Sequence, residues 1–300
     1  MKVVVTGSSG VIGTALVQAL RTDGHDVVRL VRREPTESGE VRWHPEAGTT
    51  VDDAVVGALQ GVTAAINLAG AGVGDKRWNT AYKNLLRSSR VDSTTALVAA
   101  LGRLDPTPQV LLSGSAYGYY GDTGDTVADE STAQGRTFLA GLAGSWEHAA
   151  APAEKIGIRV VYLRTGLVVS PDGGAFAKML PLVRAGVGGR LGNGRQWWPF
   201  VSLRDHVAAT MHLLHDETAS GPYNLTAPES CTNADATAAL GKVFGRPTAI
   251  PVPAFAVRAA LGEFAEEVLD SRRVIPARLL AAGFTFRDPT ITDAVATLIT

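Results

Sequence analysis

The 300-residue chain is 45% hydrophobic with 33 glycines, enough for a sizeable core and many tight turns, and its 28 Lys and Arg nearly cancel 29 Asp and Glu, so no broad positive field recruits nucleic acid or an anionic membrane. The single cysteine, Cys231, excludes an intrachain disulfide and reads as a small buried apolar residue in a protein of a reducing compartment. No signal-peptide pattern follows "MKVVVTG" and no apolar run approaches the ~18 residues of a membrane span, so a soluble cytoplasmic protein is expected.

The first apolar run, 2–7, is followed at once by "GSSGVIG", which sets Gly7, Gly10 and Gly13 between a strand and a helix predicted over 13–23. Glycine first allows a tight turn, second a close approach of backbone to a pyrophosphate, and third close packing of the helix, whose N-terminus offers free N–H groups to phosphate. The second strand, 25–31, ends in Val31, Arg32 and Arg33. A NAD site carries an acid there for the ribose hydroxyls, whereas arginine suits the 2′-phosphate of NADP. The expected cofactor is therefore NADP(H), the bland alternative being two solvated arginines after a strand.

Further strands are expected at 64–70, 109–115 and 158–166, apolar throughout and so buried on both faces, with long helices at 78–103 and 137–156 between them. Strand and helix in alternation imply an α/β fold, a doubly wound parallel sheet of Rossmann type. After residue 170 the pattern changes to a turn, a short helix at 175–185, a Gly-rich loop "GVGGRLGNGRQWWPF" at 186–200, a helix at 203–215, a strand at 222–226 and several short helices. The expected division is a cofactor-binding domain over 1–170 and a smaller substrate or lid domain over 171–300, with about 203–227 rejoining the first.

Several groups read as structural. His212 and His215 are three apart on a helix with no third ligand nearby in sequence, so no metal is expected; Asp205 reads as a helix N-cap, and the acids and arginines of 263–273 as a solvated helix face.

The stretches "VVVTGSSGVIG", "NLAGAGVGDKRW" (67–78), "SGSAYGYYGD" (113–122), "WEHAA" (146–150), "LRTGLVVSPDGG" (163–174) and "GNGRQWWPFVSLRD" (192–205), in that order, resemble the short-chain dehydrogenase/reductase superfamily in its extended form, in particular an epimerase-like branch with a small C-terminal domain of unknown function. The resemblance implies that Gly7, Gly10, Val11 and Ile12 line the pyrophosphate and that Val31 and Arg32 sit at the adenosine end. It implies further that Leu68, Ala69, Gly70 and Arg90 border the cofactor, and that Thr165 and Leu167 lie near the nicotinamide. Pairing of subunits through the two long helices, and so a homodimer, is what the superfamily suggests.

The superfamily's catalytic set is a Ser or Thr after a central strand and a Tyr-x-x-x-Lys pair on the next helix. Ser115 fits the first, but with Glu147 as the anchor the pair's positions hold Leu139 and Ala143. Proton transfer is therefore expected from Tyr120, beside Ser115. An unassisted tyrosine is a poor base and a usable acid at neutral pH, so reduction of a small carbonyl, sugar derivatives included, is favoured over a full epimerase cycle. Lys76, Arg77, Trp78, Tyr119, Arg195, Trp197 and Trp198 are the expected substrate contacts, in loops after strands where such sheets bind ligands. The competing reading is a catalytically silent NADP(H)-binding sensor, favoured by the missing pair.

Overall fold

A computed structural model describes residues 1–46 and 50–299. Five strands open the chain: β1 (Lys2–Thr6), β2 (Asp26–Val31), β3 (Glu40–Arg42), β4 (Ala64–Asn67) and β5 (Val110–Ala116). With Arg159–Thr165 and Gly221–Leu225 they form one seven-stranded sheet, wholly parallel, in the order Gly221–Leu225, Arg159–Thr165, β5, β4, β1, β2, β3. The order reverses between β1 and β4, and ligands of such sheets bind in the crevice beyond the strand ends at that point.

The helices α1 (Val11–Thr22), α2 (Asp53–Leu59), α3 (Thr80–Leu101), α4 (Phe138–Ala150) and α6 (Leu203–His215) flank this sheet, while α5 (Gly174–Arg184) packs in a separate core. Alternate residues of each strand face opposite cores. Val3 and Val5 pack with Leu16 and Leu20 of α1 and Leu213 of α6, while Val4 packs with Val55 and Leu59 of α2 and Leu97 and Leu101 of α3. Each of these fully buried side chains contributes roughly 1.5–3 kcal/mol. The apolar spacing on α1 and α3 is thus what lays α1 and α6 on one face and α2 and α3 on the other.

A third core runs from Val169 to Leu298 and holds Phe176, Trp198, Phe200 and Cys231. Two short pairings tie this region to the rest: Phe200–Ser202 with Leu167–Val169, and Arg273–Val274 with Val127–Ala128. Burial drives the Cys231 thiol above its usual range, consistent with an inert packing residue.

Three sequence expectations change. The helix expected over 137–156 ends at Ala150 and continues as a tighter turn over 151–156, where Pro152 has no N–H to give an α-helical ladder. Asp205 is not the N-cap of α6: Ser202 is, accepting from the Asp205 N–H at 3.1 Å, and the buried Asp205 carboxylate accepts from the N–H groups of Arg287 and Asp288 at 3.0 and 2.8 Å. The charged run at 263–273 is not a solvated face throughout. Arg272 is 1% exposed and paired with the buried Glu267 at 2.6 Å. Among the described residues no helix is long and apolar enough to cross a membrane.

Candidate active site

At the β1–α1 turn Gly7 takes φ +68°, and a Cβ there would press on the Leu68 carbonyl carbon at 2.6 Å. A side chain at Gly13 would overlap the Gly7 carbonyl oxygen and stand 2.8 Å from Ser8 Cα. Gly10 differs: a Cβ would meet only the Gly7 oxygen at 3.5 Å, so this face of the turn is open. Gly10 is also the N-cap of α1 and makes no side-chain cap, which leaves first-turn N–H groups free for an anion. Val11 and Ile12, half-buried, begin the helix at the same opening. Across the crevice, Thr6 donates to Asn67 Oδ1 at 2.6 Å and Asn67 donates to Thr94 at 2.7 Å, bracing the ends of β1 and β4.

Leu68, Ala69 and Gly70 follow β4 on the other side of this crevice, and Arg90 of α3 lies over Gly70. The Arg90 guanidinium stands 5.0 Å from the Trp146 ring centre and donates to the Leu86 carbonyl, with no carboxylate partner among the described residues. Burial lowers its pKa to about 10, which leaves it charged at neutral pH. An uncompensated, largely desolvated cation beside a glycine turn is a fitting partner for a dinucleotide's phosphates.

The end of β2 separates the two arginines. Arg33 grips Glu40 of β3 with both terminal nitrogens, at 2.8 and 2.6 Å, and this bond holds the Glu40 carboxyl down at about 2. Arg29 also reaches Glu40, at 3.2 Å, and donates to Ser8 of the glycine turn at 3.3 Å. Arg32, next to the buried Val31, is exposed and has no partner among the described residues. Sequence reasoning missed Glu40, because β3 is three residues long and carries no strand signal of its own.

At the other end of the crevice the hydroxyl-rich segment forms a closed network. Ser115 donates to Glu147 Oε1 at 2.6 Å, and Glu147 takes both Nε and a terminal nitrogen of Arg164 at 2.8 and 3.0 Å. Arg164 then donates to the Tyr120 hydroxyl at 3.0 Å, and that hydroxyl donates to Asn224 Oδ1 at 2.6 Å. Tyr120 is 3% exposed, both roles of its hydroxyl are taken, and burial pushes its phenol up to about 12 against the pull of Arg164. Tyr119 lies flat against the same guanidinium, 3.5 Å from Arg164 Cζ to the ring centre, and its hydroxyl has no partner among the described residues.

In the sequence Glu147 serves only as a register mark, and neither Arg164 nor Asn224 stands out as a functional residue. The available signal was a lone arginine in the apolar run "IRVVYLRTG", since a buried strand admits a cation only with an acid to meet it. Ala143, at the position of the absent lysine, is buried, and Leu139 packs against Gly118. Thr165 shares a hydrogen bond of 3.0 Å with His206 Nε2, while Leu167 pairs with Phe200.

The outer residues divide by burial. Trp198 is 5% exposed within the third core, with its indole N–H on the Val268 carbonyl, so its ring packs inside that core. Trp78 is buried between Phe138 and Phe264 and bonds Val73. Trp197 is half-buried, held by Asp125 at 2.9 Å and by Arg273 stacked at 4.5 Å. Arg77 is exposed and touches the Ala259 carbonyl, whereas Lys76 and Arg195 are exposed with free side-chain charges among the described residues.

A family model described as the NAD dependent epimerase/dehydratase family matches residues 3–226, from β1 through the last strand of the sheet. The chain belongs to this family. A second model, a domain of unknown function, DUF1731, matches residues 252–298. Among epimerase family proteins, Mb2239 of Mycobacterium bovis is 46% identical over 294 residues, 98% of this chain and 96% of its own. The human epimerase family protein SDR39U1 (isoform 2), solved with NADPH, superposes with a TM-score of 0.89 at 31% identity over 99% of both chains. A nucleoside-diphosphate sugar epimerase from Corynebacterium glutamicum gives a TM-score of 0.79 at 32% identity, over 99% of this chain and 59% of that one. These relatives and the sheet described above identify an extended short-chain dehydrogenase/reductase fold of the epimerase-like branch.

Proposed function

We propose that this epimerase family protein is an NADP(H)-dependent oxidoreductase that reduces a small carbonyl substrate, with sugar nucleotides first among the candidates. The observation that carries the reading is the unpaired Arg32 at the end of β2, where an NAD site would carry an acid. NADPH in the human relative and the sugar-nucleotide epimerase among the structural relatives support it. Residues 1–170 hold the cofactor in this proposal and 171–300 supply the substrate side, with Arg195 and Lys76 as free cations for an anionic substrate group.

The glycine turn, the uncapped start of α1, Arg90 and Arg32 fit a dinucleotide along the crevice, and a nicotinamide there would supply the two-electron reduction. Ser115 spends its proton on Glu147, so its oxygen is an acceptor that orients a substrate hydroxyl or water. Tyr119, whose hydroxyl is free, donates the proton to the carbonyl oxygen. Tyr120 keeps Arg164 and Asn224 in place. With Ala143 where a lysine would lower a phenol's pKa, and the Arg164 charge met by Glu147, the arrangement gives protons more readily than it takes them.

The test is NADPH absorbance against a panel of aldehydes, ketones and sugar nucleotides, repeated with Tyr119→Phe and Tyr120→Phe. Turnover is expected to fall by about 10²–10⁴-fold in Tyr119→Phe with NADPH binding retained, the usual worth of a general acid. Tyr120→Phe leaves Asn224 and Arg164 short of a partner and is expected to cost about 1–3 kcal/mol of stability. Full turnover in Tyr119→Phe would remove it from the mechanism, and no turnover on any substrate would contradict the enzyme reading.

A further inference from the structure

We propose that Asp23, His25 and His215 form a divalent-cation site, suited to zinc, at the end of the sheet opposite the cofactor crevice. Asp23 and His25 flank Gly24 in the turn from α1 to β2, and His215 is the last residue of α6. One ligand atom from each lies within 4.8 Å of the others. Asp23 Oδ2 is 3.0 Å from His25 Nε2 and 3.4 Å from His215 Nε2. A tetrahedral zinc with ligands at ~2.0–2.1 Å sets neighbouring ligand atoms about 3.3–3.4 Å apart. Only the histidine pair has to close further, and its ring centres are 5.5 Å apart.

The fold has already prepared one of these ligands. The His25 side chain is 8% exposed, yet its shielded Nε2 makes no hydrogen bond, because Asp23 approaches at the right distance without hydrogen-bond geometry. Its other nitrogen, Nδ1, is 3.2 Å from the Met1 ammonium, which holds the ring with Nε2 turned to the cluster; since an ammonium only donates, zinc at Nε2 displaces the proton that this nitrogen otherwise carries. A nitrogen withdrawn from water and left without a proton partner is costly unless something binds it.

Two helix ends favour a cation at the site and oppose the charge of the Met1 ammonium beside His25. Asp23 is the C-cap of α1 and Asp216 the C-cap of α6, so the negative ends of two helix dipoles converge here. Two imidazoles and a carboxylate are a donor set for zinc that leaves a fourth position open. That position adjoins a groove of about 1220 Å³ between α1 and α6, whose wall includes Asp23, Met211 and His215, and a water or small ligand completes the shell from there. His212, which sequence spacing pairs with His215, does not take part: its ring packs against Phe284 at 5.6 Å.

The experiment is calorimetric titration of the chelator-treated full chain with zinc chloride, with cobalt(II) absorption as a second readout of four-coordinate geometry. One zinc per chain is expected. His215→Ala and Asp23→Asn, both at half-exposed positions, should each weaken binding by ~10-fold or more, while His148→Ala, an exposed histidine on α4, should leave it unchanged. Far-UV circular dichroism and NADPH binding establish that the variants are folded. No saturable zinc binding by the wild type, or equal binding by the double variant His215→Ala with Asp23→Asn, would overturn the proposal.

Discussion

Buried polar residues carry most of the site's logic, and they can be interrogated one at a time. His206 is fully buried on α6, with Nε2 on Thr165 and Nδ1 without a partner, and burial alone lowers its pKa to about 4. In the unfolded chain an ordinary histidine titrates near 6.5. Between these values the unfolded state binds the extra proton, so the contribution to stability falls as pH drops from about 6.5 to about 4. The loss is on the order of 3 kcal/mol at the acid end of that window. Denaturant unfolding of the wild type and His206→Gln at a series of pH values isolates this slope. The wild type should lose stability more steeply in that window, and parallel curves would show that His206 titrates normally. At this scale the sequence points to a hydroxyl-rich segment but cannot distribute the work within it. Tyr119 and Tyr120 are adjacent and chemically identical in the sequence, and only the arrival of Arg164 and Asn224 from two other strands separates the free hydroxyl from the spent one.

Among elements, the β1–α1 unit was legible because its requirements are local: an apolar strand, a glycine that must take positive φ, and a helix whose apolar spacing follows at once. Its three glycines are nevertheless unequal. Gly13→Ala forces a methyl into the Gly7 carbonyl and Ser8, so both stability and NADPH binding should fall. Gly10→Ala meets little protein, so its thermal transition should stay near that of the wild type while cofactor affinity drops. Thermal melts with and without NADPH distinguish them, and equal destabilisation by both would contradict the packing described. Less legible elements owe their existence to tertiary contacts. β3 exists because it pairs with β2, and α4 stops short because Pro152 interrupts the ladder. Asp205 reads as a cap in sequence because a cap and a buried acceptor use the same residue type; the distinction lies in the chain at 287–288 that folds back over it.

The molecule as a whole places two regions about one crevice. In the proposed reading the sheet supplies the nucleotide groove; the region around the third core is joined to it through the pairings of Val127–Ala128 with Arg273–Val274 and of Leu167–Val169 with Phe200–Ser202. The doubly wound sheet could be read from alternating strand and helix patterns, since each buried strand announces itself by composition. The pairing of residue 273 with residue 127 could not, because two-residue strands have no periodicity. Nor could the meeting of Asp23 and His25 with His215, which depends on α1 and α6 lying side by side on one face of the sheet. Whether the crevice is built for a 2′-phosphorylated dinucleotide read by Arg32 is decided by titrating NADPH and NADH side by side into the wild type and Arg32→Ala. The wild type is expected to bind NADPH at least about ten-fold more tightly, a difference of ~1.4 kcal/mol, and the variant to lose this preference while keeping its NADH affinity. Equal or tighter binding of NADH by the wild type would refute that role for Arg32 and the cofactor assignment with it.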